Sequence, residues 1–304
     1  MAATEVIRLG VCQPRAAWGA EAARNVDDAV AFVRQAAALE IDLLLFPETY
    51  PGPYTNDLRY EVVPPLREAA AHYGVALVAG TTTETEPGSG AFHVEAVVID
   101  AAGEEVGRYR RSHPLGPYVF PGGSFWDLNY KEGDELPVFD LGWGKVGVAI
   151  CSEVFVPEIA RTLALKGAEV CLFPTGILID EFGYSENWRT LVRARAIENL
   201  MYTATTIHLF PREFLGADAA AVGSIGTGSG LTAGHAMICS PERTLAATHE
   251  PGILTADLDL AHLRRLRETE EVMCLPAPFR TIPGVLAWRR PELYELGALE
   301  AVGA

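Results

Sequence analysis

The chain has no pair of cysteines spaced for a metal or for a redox dithiol. Its five cysteines, Cys12, Cys151, Cys171, Cys239 and Cys274, are odd in number and scattered over 304 residues. That argues against a disulfide framework and against a structural zinc site. Lysine is also scarce: Lys131, Lys145 and Lys166 are the only three among 24 basic residues, and the rest are Arg. Positive charge as a whole is outnumbered, with 40 acidic residues giving a net charge of -16. Such a surface repels phosphate backbones and anionic bilayers, so neither nucleic acid nor a membrane is an expected partner. No apolar run reaches the roughly 18 residues that suggest a membrane span. The start, Met1-Ala-Ala-Thr-Glu-Val-Ile-Arg8, lacks the basic-then-apolar pattern of a signal peptide. These absences together predict a cytoplasmic, reducing setting. No internal repeat is evident.

What is present suits an ordinary globular protein, with 49% hydrophobic and 21% charged residues. A chain of this length can bury a large core without cross-links. Apolar runs at Val6 to Cys12, Ile41 to Phe46, Val75 to Ala79, Val94 to Asp100 and Val146 to Ile150 read as strands. Later ones are Val170 to Phe173, Tyr202 to His208, His235 to Cys239 and Ile253 to Asp257. Helical patterns cover Asn25 to Leu39, Pro64 to Tyr73, Pro157 to Lys166 and Trp188 to Asn199. Strands alternating with helices predict an α/β protein. The Pro-rich stretch from Cys274 onward reads as an extended tail, which gives one domain over 1–272 and a tail over 273–304. That tail is expected to pack on the body or on a neighbouring subunit.

Three strand ends carry polar groups where a continued core would be apolar. Phe46-Pro47-Glu48 presents a carboxylate, Cys151-Ser152-Glu153 a thiol, and Arg110-Arg111-Ser112-His113 two cations. In open α/β sheets ligands bind at the carboxyl ends of strands, so these groups could converge there. A carboxylate made more basic by burial can take a thiol proton and return it to a leaving amine. The thiolate then attacks a carbonyl or nitrile carbon, while a cation and a backbone N–H stabilise the oxyanion. Each element also has a plainer reading. Glu48 suits a solvated turn, the two arginines an exposed pair, and Cys151 a small buried hydrophobe.

Taken together, Leu44-Leu-Phe-Pro-Glu48, Tyr109-Arg-Arg-Ser-His113, Gly147-Val-Ala-Ile-Cys151-Ser-Glu153 with Pro157-Glu158, and Arg193-Ala-Arg-Ala-Ile-Glu-Asn199 resemble the nitrilase, or carbon–nitrogen hydrolase, superfamily. The resemblance runs from about Val6 to Arg267 in the right order. It implies a four-layer α-β-β-α sandwich, pairing into at least a homodimer, and a Cys–Glu–Lys catalytic set with no cofactor and no metal. Glu48 matches the general base, Cys151 the nucleophile and the Ser152 N–H an oxyanion donor. Arg111 stands at the lysine position. The two side chains differ, since Lys is a compact point charge and Arg a planar fork. Lys131 lies near but outside the motif.

Many members carry a second glutamate ahead of a Pro-Gly-Asp-like turn. Here Trp126 falls at its place, and Asp127 one residue on is the candidate to position substrate or water. Glu153 matches an acid that orients the loop. Tyr54 is a candidate pocket residue, as are Tyr50, Tyr118, Phe125 and Trp188, each equally suited to a core. The family's nitrile hydrolysers typically carry Trp after the cysteine. Ser152 therefore favours a small amide or carbamoyl substrate. The alternatives are a nitrile hydrolase, an amide-forming acyl transferase, or a non-catalytic scaffold of the same fold.

Overall fold

In the computed structural model, residues 6–52, 60–113, 129–176, 184–211, 213, 234–268, 286 and 289–293 are described. The first half comprises β1 (Val6–Gln13), α1 (Asn25–Ala38), β2 (Leu43–Leu45), α2 (Val63–Tyr73), β3 (Ala76–Glu84), β4 (Phe92–Ile99) and β5 (Glu105–Arg110). The second comprises β6 (Val138–Asp140), β7 (Lys145–Val148), α3 (Pro157–Leu165), β8 (Val170–Pro174) and α4 (Tyr184–Asn199). It continues with β9 (Tyr202–Thr206), β10 (Ala236–Cys239), β11 (Thr244–Thr248), β12 (Gly252–Asp259) and α5 (Leu260–Glu268).

The strands form two six-stranded sheets, ordered β12-β1-β2-β3-β4-β5 and β11-β10-β9-β8-β7-β6. Each has parallel pairs at its centre and antiparallel pairs outside them. Strand alternation decides which side chain enters which layer. Leu43 and Leu45 of β2 join the large core that also holds Val146, Val148 and Met237 of the other sheet. Leu44, between them, faces the opposite way into a second cluster with Val33 and Leu66 of α1 and α2. Helices α3 and α4 cover the outer side of the second sheet, with Leu163 and Val192 fully buried. The result is the expected α-β-β-α sandwich.

The helices follow local signals. In α1, Val26, Ala29, Val33 and Ala36 are buried at three- and four-residue spacing, a single apolar stripe. α2 carries proline in its first turn and ends at Gly74, whose φ of 70° suits glycine.

Some elements carry no clear sequence signal. Among the described residues β5, β6 and β11 are edge strands with hydrogen-bonded neighbours on one side only, and their sequences are mixed rather than apolar. Edge strands need no continuous hydrophobic face, so the periodicity that marks central strands is missing. α5 is likewise unmarked. It is nine residues long and Arg-rich, held by Leu260, Leu263 and Leu266. The 273–304 tail lies almost wholly outside the described residues. No helix among the described residues is long and apolar enough to cross a membrane.

Candidate active site

Because β5 runs parallel to β2 and β3 across the antiparallel β4, its carboxyl end lies at the same end of the first sheet as that of β2. Glu48 follows β2, Arg111 follows β5, and Cys151 follows β7 in the facing sheet. All three are buried, at 7%, 3% and 7% exposure. The plainer readings of Glu48 as a solvated turn and of Arg111 as an exposed side chain are thereby removed. Arg110 takes the exposed role, pairing at 3.0 Å with Glu95.

The Arg111 guanidinium spans the site. Its Nη1 donates to Glu48 Oε1 at 2.8 Å, and its Nη2 donates to Ser152 Oγ at 2.6 Å. The other Glu48 oxygen, Oε2, accepts from the Gly176 N–H at 2.8 Å, just past β8. The backbone carbonyl of Glu48 meets His208 Nε2. Burial pulls the His208 pKa down to about 4, so the ring is neutral near pH 7 and supports the loop as a hydrogen-bonding group.

Cys151 has φ of 55°, an uncommon value for a side chain with a Cβ. It opens a short 3-10 turn, Cys151–Phe155, with two residues between that turn and the end of β7. The backbone N–H groups of Gly176 and Ser152 both act on its sulfur. Burial raises the thiol to about 12, with Glu48 adding to the rise and Arg111 opposing it. Glu48 is raised too, first by desolvation, against the opposing effects of Arg111, the Cys151 thiol and the Gly176 N–H. Desolvation works against the Arg111 cation, and the facing Glu48 and Cys151 outweigh it, so its pKa is raised.

Glu153 ties the Arg111 and Cys151 loops together. Its Oε1 accepts from Tyr109 Oη at 2.7 Å, Ser112 N at 2.8 Å, Ser112 Oγ at 2.6 Å and His113 N at 3.0 Å. Its Oε2 accepts from Ile150 N at 2.5 Å. With both oxygens engaged this way, Glu153 is a scaffold for the two loops. Tyr130 is a further neighbour that no sequence motif marks. Its phenol pKa is raised, by burial first and then by Glu48, with Arg111 opposing. Gly176 and His208 are likewise unmarked as site residues in the sequence. Asp127, Trp126, Tyr54, Tyr118 and Phe125 lie outside the described residues. Tyr50 is buried between Phe46 and His208, and Trp188 is buried with its Nε1 donating to Thr205 Oγ1 at 3.3 Å. Among the described residues no cluster of three or more His, Cys, Asp or Glu could hold a metal ion.

The Glu48 loop leans on a glycine. A Cβ at Gly80 of β3 would stand 2.2 Å from Thr49 N and 2.6 Å from Pro47 O, both backbone atoms. Gly80→Ala is therefore expected to push Glu48 away from Cys151, and ångström-scale displacements cost about 100-fold in rate. Steady-state kinetics, with circular dichroism to confirm folding, would check this. A normal rate in the Gly80→Ala enzyme would contradict it.

Titration of Glu48 has a predictable sign. Its pKa is higher folded than its unfolded value of 4.5, so the folded state holds that proton more tightly. The resulting stability is fully present below the unfolded value and is lost as pH rises through the folded one. Relative to Glu48→Gln, the wild type should lose unfolding free energy across that window and no further above it. Urea titrations of both proteins from pH 4 upward would measure the difference.

Known proteins resemble this chain along most of its length. The carbon-nitrogen hydrolase family model matches residues 8–268. A protein named nitrilase from Pyrococcus abyssi is 30% identical over 270 residues, covering 82% of this chain and 89% of its own length. An omega-amidase from Xenopus laevis is 27% identical over 260 residues, covering 80% and 86%. Among solved structures, a glutamate-to-glutamine mutant of an amidase from Nesterenkonia sp. AN1 shares the fold with a TM-score of 0.70 at 22% identity, each chain covered to 97%. That structure carries the acetamide moiety of fluoroacetamide on its active-site cysteine. With the family model spanning most of its length, the chain belongs to the carbon–nitrogen hydrolase family.

Proposed function

We propose that this protein hydrolyses a small amide or carbamoyl compound through a thioester on Cys151. The observation that carries the reading is the buried contact of Glu48 with Arg111 and the Gly176 N–H, beside the Cys151 thiol. Glu48 takes the thiol proton as sulfur attacks the carbonyl carbon, forming the S–C bond. With the resting thiol raised to about 12, the thiolate forms only as that proton moves. Arg111 and the Ser152 N–H stabilise the oxyanion. The C–N bond then breaks, and Glu48 returns the proton to the departing ammonia or amine. Water, deprotonated by Glu48, cleaves the thioester, releasing the acid and restoring the thiol. Arg stays protonated throughout, so proton movement is confined to Glu48, Cys151, water and the leaving group.

Ser152 supports the amide reading over the nitrile one, since it stands where the family's nitrile hydrolysers typically carry Trp; its side chain accepts from Arg111. Among the relatives, the omega-amidase points the same way and the Pyrococcus abyssi nitrilase the other, so product analysis decides between them. The buried, hydrogen-bonded set weighs against a scaffold, whose Cys151 would react with iodoacetamide no faster than Cys171.

The test is trapping. Short amides and carbamoyl compounds are screened for ammonia release, and the enzyme is quenched during turnover for peptide mass spectrometry. An acyl mass on the Cys151 peptide is expected. Ammonia release with acylation elsewhere, or with none during slow turnover, overturns the reading.

A further inference from the structure

At the opposite ends of β7 and β8 from Cys151 and Gly176 lies an open cleft of about 440 Å³. Asp140, Trp143, Lys145, Glu169, Arg264 and Arg267 line it, with Gly142, Gly144 and Gly167 between them. The volume is within the roughly 300–1,000 Å³ of small-molecule sites. In a chain of net charge -16 the lining is cationic, with three basic side chains against two acidic ones.

The cations are not equally compensated. Arg264 is held by Glu169 in a two-point contact, Nε to Oε1 at 2.6 Å and Nη2 to Oε2 at 3.1 Å. Arg267 meets no carboxylate among the described residues. Its Nε donates to Leu200 O at 2.7 Å and its Nη2 to Ala168 O at 2.7 Å, which leaves Nη1 unused among those residues. Lys145 is exposed, and its ammonium stands 3.9 Å from where a Cβ on Gly167 would lie. Gly167 and Ala168 are consecutive, so two cations without carboxylate partners among the described residues flank one stretch of backbone. Asp140 stands opposite Lys145 in the β6–β7 register, and its Oδ1 accepts the Gly142 N–H at 2.9 Å rather than an ammonium proton among the described residues. Burial pulls the Arg267 pKa down to about 10, and Arg264 adds to that fall against Glu169.

We infer that this cleft binds a small phosphate-bearing molecule, with Lys145 and Arg267 on the phosphate and the body of the molecule against Trp143. A phosphate group carries close to two negative charges near neutral pH, which matches these two cations. It also presents three acceptor oxygens, enough for an ammonium and a guanidinium edge together, and arginine suits it geometrically. Gly142 and Gly167 keep the wall low, so a ligand can approach the backbone closely there, whereas Gly144 is covered by the Glu169 carboxylate. The cleft is larger than a free phosphate ion needs, which favours an ester.

Inorganic phosphate and a small phosphomonoester would each be titrated into the full chain by calorimetry, at constant ionic strength against chloride. Arg267 ties α5 to two carbonyls, so Arg267→Gln risks unsettling the helix and Lys145→Gln carries the test. Binding should weaken about tenfold in Lys145→Gln, the worth of one charge-assisted contact. Tighter ester binding would assign a phosphorylated molecule, and equal binding would assign the phosphate group alone. No binding of either probe beyond the chloride control, or binding unchanged in Lys145→Gln, overturns the inference.

Discussion

A Cys151→Gly variant is expected to be inactive and yet more stable than Cys151→Ala. Glycine usually destabilises relative to alanine, because it loses more conformational freedom on folding. At φ of 55° the order reverses, since a Cβ in the left-handed region costs about 1–2 kcal/mol and glycine escapes that cost. The net gain over Ala should be about 1 kcal/mol, or about 2 °C in Tm for a chain of this size. Both variants should lose roughly 10,000-fold or more in ammonia release, the scale seen when a nucleophile is deleted. Paired thermal melts and kinetics would show both effects. An alanine variant as stable as the glycine one would mean that the Cys151 backbone is unstrained. Activity surviving in either would remove Cys151 from the chemistry. Cys151 is the first residue of the 3-10 turn Cys151–Phe155, so the positive φ and the thiol fall on one position at the strand ends.

Arg111 carries the second large effect. Its fork holds Glu48 with one nitrogen and Ser152 with the other, inside a site where all three catalytic candidates are buried. Arg111→Met would leave the Glu48 carboxylate buried without its cation. Breaking a buried pair in this way costs about 3–5 kcal/mol. It would also raise the Glu48 pKa further, because the opposing charge is gone. The acid limb of the rate profile should therefore move to higher pH, and activity at neutral pH should collapse. Arg111→Lys is the gentler test. One ammonium on a shorter head cannot reproduce both ends of the fork, so kcat/KM should fall about 10- to 100-fold. Ser152→Ala should cost less, and the two changes together should cost less than their sum, because they disturb one contact. An Arg111→Lys enzyme as fast as the wild type would show that the fork contributes nothing.

The central strands are legible in the sequence because each is an apolar run or alternation, from Val6 to Cys12 through Val170 to Phe173. β5 is not, because Glu105-Val-Gly-Arg-Tyr-Arg110 is a mixed edge strand with Gly107 set against the Phe139 ring. Without β5, composition and spacing alone leave open which of Arg110 and Arg111 enters the core, and only the family resemblance points to Arg111. The strand's alternation answers that, with Tyr109 and Arg111 buried and Arg110 outside.

The sequence by itself determined the family, the nucleophile candidate Cys151, the base candidate Glu48 and the departure at Arg111. Each of these stands inside a contiguous motif. Only the tertiary structure decided how they meet. The Glu48–Arg111 bond spans 63 residues, Arg111–Ser152 spans 41, and Glu48–Gly176 spans 128. His208, Tyr130 and the Lys145–Arg267 cleft were brought into place the same way. Such contacts depend on two sheets stacking face to face, which sets strand ends from both halves of the chain side by side, and no local pattern encodes that.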